Sequence, residues 1–250
     1  MIDILARKDY GATVSFKPFT NYCIDINTAL NMGFVSEGDD VIVNVHGYNS
    51  TYEKVRKSYT TLEENLPRVI NQRNIPKQIG FWWPASWSST VGFMTASMRV
   101  PKAVDYFLEL QKQLRERKCR VTIQAHSLGC RLVTDAIKEM TPAEADNISR
   151  AILTAPAMAT DYAKNFVQWE RKPPLYHVMF SRKDPVLGLA YRLVPANWKT
   201  PAMGAIGPSK YNIEICKPYD MSTKVWTHSG YKDTAQLYEL MLEGFGEERK

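Results

Sequence analysis

Val121-Thr122-Ile123-Gln124-Ala125-His126-Ser127-Leu128-Gly129-Cys130-Arg131-Leu132-Val133 is the stretch on which the reading of this chain turns. Its first part is mostly apolar and rich in β-branched residues, which predicts a strand over 120–125. Its second part opens a helix over 127–140, with Leu128, Leu132, Val133, Ala136 and Ile137 on one side and Thr141-Pro142 as the stop. Between them Ala125-His126-Ser127-Leu128-Gly129 sets small residues two before and two after a serine. That spacing permits a sharp strand-to-helix turn, and it lifts the Ser127 hydroxyl clear of the sheet at a helix N-terminus. The bland alternative is a helix-capping serine.

The same alternation continues on either side. Strand-like runs occupy 41–45, 78–83, 150–154, 175–180 and 211–216, and helix-like runs 50–69, 102–118 and 234–245. In the run from Ser50, Tyr52, Val55, Tyr59, Leu62, Leu66 and Val69 draw one helix face. Ser50 with Glu53 fits a capping box there, and Pro67 should end or kink the helix. In the run from Lys102, Val104, Phe107, Leu108 and Leu114 point inward. This order predicts the α/β class, a mostly parallel sheet with helices on both faces. Within residues 1–40, the segments 2–6 and 12–17 are expected as antiparallel edge strands. The 250 residues suit one domain with lid-like loops. Two stretches break the rhythm, 84–100 (aromatic, uncharged until Arg99) and 185–210 (four prolines). Both follow strands, so both are expected as walls or lid of a pocket beyond the strands' carboxyl ends.

Composition removes other classes. Hydrophobic residues are 44% and charged residues 23%, which excludes collagen-like, coiled-coil and disordered chains. Lys+Arg exceed Asp+Glu, 32 against 26, a net +6 that is not gathered into long blocks. No nucleic-acid partner is expected, because the basic run Lys112–Arg120 reads as the cationic end of a helix. The N-terminus carries Asp3 and too short an apolar run for a signal peptide. No stretch suits a bilayer span, since the longest uncharged one, Gln78 to Met98, holds Pro84 and six Ser or Thr residues. Cys23, Cys119, Cys130 and Cys216 are scattered, without a CxxC pair, and read as buried free thiols in a reducing compartment rather than as a zinc site. A cytoplasmic protein without metal or organic cofactor is expected.

Ser127 as a nucleophile needs three kinds of help. An oxyanion needs pre-aimed N–H donors, and the turn His46-Gly47-Tyr48-Asn49 after the strand at 41–45 offers the N–H of Tyr48 beside that of Leu128. The alternative is a plain strand-to-helix turn. A base must take the proton. Of the four histidines, His46 belongs to that turn, His126 should point away from Ser127, and His177 lies inside an apolar strand. His228, in the polar loop Thr227-His228-Ser229-Gly230-Tyr231, follows the order Ser…Asp/Glu…His. An acid must orient the base, and Asp184 after the strand 175–180 fits, with Asp161 and Asp220 as rivals. Trp83, Trp87 and Phe93 suggest an apolar acyl pocket, though aromatics after a strand are more often core. Contact of 84–100 with a lipid surface is a further reading of that stretch.

With these pieces assembled the chain resembles the α/β-hydrolase superfamily. It is most similar to a bacterial family of α/β hydrolases predicted from sequence, whose activity is largely unassigned. The resemblance covers roughly residues 40 to 245. It rests on VIVNVHGYN at 41–49, IGFWWPAS at 79–86, VTIQAHSLGCRLV at 121–133, AILTAPAMATDYAKNF at 151–166, VMFSRKDPVL at 178–187 and THSGY at 227–231. It implies Ser127 as nucleophile, Asp184 as acid and His228 as base. One departure is Ala157, where that family often has Asp after its A-P pair, which leaves Asp184 the clearer acid. The expectation is a serine hydrolase, carboxylesterase-like or lipase-like, acting on a small ester or thioester through an acyl-enzyme. An acyltransferase on the same site and a catalytically silent binding protein are the alternatives.

Overall fold

A computed structural model describes residues 2–5, 23–24, 33–48, 50–69, 75–85, 90–166, 175–193, 199–209, 215–243 and 245. Among them eight parallel strands form one sheet in the order β2-β1-β4-β3-β5-β6-β7-β8. The strands are β1 (Ile2–Leu5), β2 (Cys23–Ile24), β3 (Asp40–Val45), β4 (Lys77–Trp82), β5 (Arg120–His126), β6 (Ile148–Thr154), β7 (Tyr176–Phe180) and β8 (Cys216–Asp220). The longer helices are α1 (Tyr52–Val69), α2 (Thr90–Glu116), α3 (Leu128–Glu139) and α6 (Ala235–Glu243). Two single-turn helices, α4 (Pro185–Gly188) and α5 (Met203–Ile206), lie in the segment after β7.

Both sheet faces are covered, and the period of two along β3 divides the core. Val41, Val43 and Val45 face one cluster, with Phe107, Leu110 and Leu114 of α2 and Leu132, Val133, Ala136 and Ile137 of α3. Ile42 faces the other, with Val55, Tyr59, Leu62 and Leu66 of α1 and Leu237, Leu240 and Met241 of α6. Tyr59 Oη ties α1 to the sheet by donating to the carbonyls of Asn44 (2.8 Å) and Phe81 (3.0 Å). Cys119, Cys130 and Cys216 are buried free thiols. No helix among the described residues is long and apolar enough to cross a membrane.

Several expectations need correction. β1 pairs parallel with both β2 and β4, not antiparallel. The chain between these strands is long enough for crossovers, which parallel pairing requires. Residues 12–17 lie outside the described residues. The stretch 84–100 is mostly helix, because α2 starts at Thr90. Ala96, Val100, Ala103, Val104 and Phe107 draw a continuous buried face across Pro101, which sits on the solvent side. Within α2 it is Leu110 that is fully buried, while Leu108 is half-buried. Thr51, not Ser50, caps α1, its Oγ1 accepting from Lys54 N–H (3.4 Å). Pro67 stands in the last turn of that helix, which ends two residues later. The last described strand lies at 216–220; of the strand expected at 211–216, residues 211–214 lie outside the described residues. Among the described residues β8 is an edge strand with β7 as its one neighbour, so it tolerates Lys217 and Pro218.

Candidate active site

The carboxyl ends of β3, β5, β6 and β7 meet at one place, and Ser127 stands at its centre. Its backbone is in a sparsely populated region, φ 54° and ψ −122°. Such a conformation costs of order 1–3 kcal/mol and persists where the surroundings over-determine it. Three hydrogen bonds do so here. Ser127 N–H donates to the Thr154 carbonyl (3.0 Å), and the Ser127 carbonyl accepts from Cys130 N–H and Ala157 N–H (3.1 Å each). Ala157, at the position noted as a departure, therefore helps to hold the turn.

Two glycines let the pieces approach. A Cβ on Gly129 would lie 2.5 Å from the His46 carbonyl oxygen and 2.9 Å from that of Val45. A Cβ on Gly47 would lie 2.6 Å from Ser127 Cβ and 2.9 Å from the His126 carbonyl oxygen. The turn after β3 and the first turn of α3 are thus pressed against each other, with the Ser127 side chain between them. Leu128 is the first residue of α3, where an N–H has no carbonyl within the helix to bond. Gly47→Ala forces a backbone shift at this contact. It is expected to cost about 1–3 kcal/mol of stability and about a hundredfold in rate, read by urea unfolding and steady-state kinetics. Wild-type rates would mean that the turn has slack.

The structure brings Ser127, His228 and Asp184 into one hydrogen-bonded chain. Ser127 Oγ is 2.9 Å from His228 Nε2, and His228 Nδ1 is 2.7 Å from Asp184 Oδ2. A carboxylate only accepts, so Nδ1 carries the proton and Nε2 is left to accept from the serine hydroxyl. Asp184 is 1% exposed. Its Oδ1 accepts from Val186 N–H (2.9 Å) and Leu187 N–H (3.1 Å), which makes it the N-cap of α4 as well. The rivals lie elsewhere: Asp161 is exposed and 3.7 Å from Lys164, and Asp220 is bound to Arg182 and Ser222.

The other histidines hold the frame. His46 Nε2 accepts from Trp83 N–H (3.1 Å), so its Nδ1–H donates to the Gly47 carbonyl (2.8 Å). His126 Nε2–H donates to the His228 carbonyl (2.8 Å), which fixes the loop carrying His228. The sequence places His126 beside the turn but gives no sign of this link, made across 102 positions. His177 is buried in β7, with Nδ1 2.9 Å from Tyr219 Oη.

Burial pushes His46 down to about 4, and burial, then the neighbouring His228, pushes His126 down to about 3. A histidine kept neutral in the fold and ionisable at about 6.5 in the unfolded chain stabilises fully above pH 6.5. That contribution is lost as the pH falls toward the folded value. For His46 the window is 6.5 to about 4, on the order of 3 kcal/mol. The urea midpoint should therefore fall between pH 7 and pH 4.5, and a constant midpoint would show that neither ring is held neutral.

Of the aromatic residues expected to bind substrate, Trp83 is fully buried. Its indole N–H donates to the His46 carbonyl (2.8 Å) and its ring stacks on that of His46, so it buttresses the turn instead of facing a ligand. Trp87 lies outside the described residues. Phe93, half-buried, sits edge-on to both Tyr48 (5.4 Å) and Tyr191 (6.2 Å). The segment 185–210, expected as a wall or lid of the pocket, is tied down where it is described. Ala202 bridges to Ala159, and a Cβ on Gly204 would lie 2.5 Å from the Ala155 carbonyl carbon.

A family described as "Alpha/beta hydrolase of unknown function (DUF900)" matches residues 25–214. No curated protein matches the chain. Among solved structures, TT1662 from Thermus thermophilus is 11% identical over 86% of this chain and 92% of that one, with a TM-score of 0.49. The poly(3-hydroxybutyrate) depolymerase LpqC from Bordetella parapertussis is 12% identical over 85% and 82%, TM-score 0.46. A cutinase-like protein from Cryptococcus sp. is 9% identical over 86% and 100%, TM-score 0.45.

Proposed function

The chain belongs to this family of α/β hydrolases of unknown function, and from that premise we propose that it is a serine hydrolase cleaving an ester or thioester through Ser127, His228 and Asp184. The observation that carries the reading is the unbroken chain from the Ser127 hydroxyl through the His228 imidazole to the buried Asp184 carboxylate. Ser127 Oγ attacks the carbonyl carbon while its proton passes to His228 Nε2. The resulting oxyanion faces the N–H groups of Tyr48 and Leu128, and losing one such donor typically costs about a hundredfold or more. His228 then gives its proton to the departing alkoxide or thiolate, leaving Ser127 acylated. Water attacks the acyl carbon, its proton goes to His228 and on to Ser127 Oγ, and the acid leaves. Asp184 keeps the imidazole in the required tautomer and stabilises the imidazolium. Exposed Val186, Leu189 and Leu193, just after Asp184, offer apolar surface to an acyl chain.

A fluorophosphonate probe tests the reading, with the adduct located by intact mass and peptide mapping. One adduct on Ser127, absent in His228→Ala, is the expected result. No adduct on the folded protein would overturn it in favour of a silent binding domain. An acyl group passed to an added alcohol in preference to water would make the protein an acyltransferase.

A further inference from the structure

Beside the hydrogen-bonded chain lies a cavity of about 450 Å³, between the N-terminal half of α1 and the turn Gly230–Asp233. Tyr48 and His228 belong to its lining, so it shares a wall with Ser127's surroundings. Its walls are fixed to each other: Asn65 Nδ2 of α1 donates to Tyr238 Oη of α6 (3.2 Å), and that hydroxyl donates to the Lys232 carbonyl.

The charge in this cavity is one-sided. Lys54 and Lys57 from α1 and Lys232 from the turn line it, and none of its described lining residues is acidic. Among the described residues none of the three ammonium groups is paired with a carboxylate. The first turn of α1 adds the positive end of an eighteen-residue helix. Tyr231, 1% exposed, also lines the cavity.

We propose that this cavity is a subsite for an anionic group, carboxylate or phosphate, carried by the substrate whose ester carbonyl lies at Ser127. Lys54, Lys57 and Lys232 supply the countercharge. The inference rests on the hydrolase reading and narrows its substrates to acidic esters or thioesters. Lys54 and Lys57 are exposed and Lys232 is half-buried, and three cations lining one cavity reinforce one another where a lone surface lysine loses its field to solvent.

The test is titration of the full chain with phenyl phosphate and, separately, with glutarate. The tighter of the two names the anion. Lys54→Ala/Lys57→Ala/Lys232→Ala should weaken that binding about tenfold or more. In hydrolysis, wild type should prefer p-nitrophenyl hydrogen glutarate over p-nitrophenyl butyrate in kcat/KM, and the triple variant should lose that preference. Absent anion binding, or binding indifferent to the triple variant, overturns the subsite. Failure of fluorophosphonate to label Ser127 overturns the hydrolase reading instead, and the anion titration still decides the cavity.

Discussion

Ser127→Ala should lower kcat/KM for a simple p-nitrophenyl ester by about 10⁵–10⁶ while the protein stays folded. The change deletes one oxygen, and the three backbone hydrogen bonds that hold position 127 do not involve it. Part of the strained backbone is inherited by the alanine, which has the same Cβ, so stability should move by less than about 1 kcal/mol. The comparison to make is steady-state hydrolysis beside urea unfolding on the same preparations. A variant that keeps the wild-type rate would remove Ser127 from the mechanism. One that loses its fold would show that the hydroxyl has a structural part.

Asp184→Asn should be the second largest loss, about 10⁴ in kcat. Asparagine keeps a side-chain oxygen for Val186 and Leu187 N–H, so the start of α4 survives. What goes is the charge opposite His228 Nδ1, and with it the preference for the proton at Nδ1. An amide NH2 turned toward the ring favours the other tautomer, which leaves Nε2 protonated and unable to accept from Ser127. Asp161→Asn, on an exposed carboxylate, should leave kcat within about twofold. Equal losses in the two variants, or a larger one at Asp161, would reassign the acid.

The legible parts of this molecule were those in which local pattern and tertiary environment agree. β5 and α3 read clearly because β-branched residues run along the one, with Val121, Ile123 and Ala125 on one face, and a single apolar stripe marks the other. The turn between them read clearly because only small residues fit the contacts that Gly47 and Gly129 make. The first twelve residues of α2 were hidden by Pro101 and by the lack of charge, both of which imitate a loop. The signal that finds them is the spacing of Ala96, Val100, Ala103 and Val104. The extent of β8 beyond Cys216 went unread because an edge strand need not be apolar. The tasks of Trp83 and His126 depend on which distant backbone atoms come within reach, and one sequence holds no record of that.

The order of the sheet also says something about how the chain must be made. Ile2 pairs with Ile79, and Val41 with Val121 as well as Lys77. The N-terminal strands of this sheet therefore wait for partners that are synthesised much later. Until β4 and β5 arrive, β3 is an apolar ribbon with two open edges, and such ribbons pair with one another when they meet. Long-range parallel pairing is slow to form. Yield in a heterologous host should accordingly depend on synthesis rate and temperature more than on the stability of the finished protein.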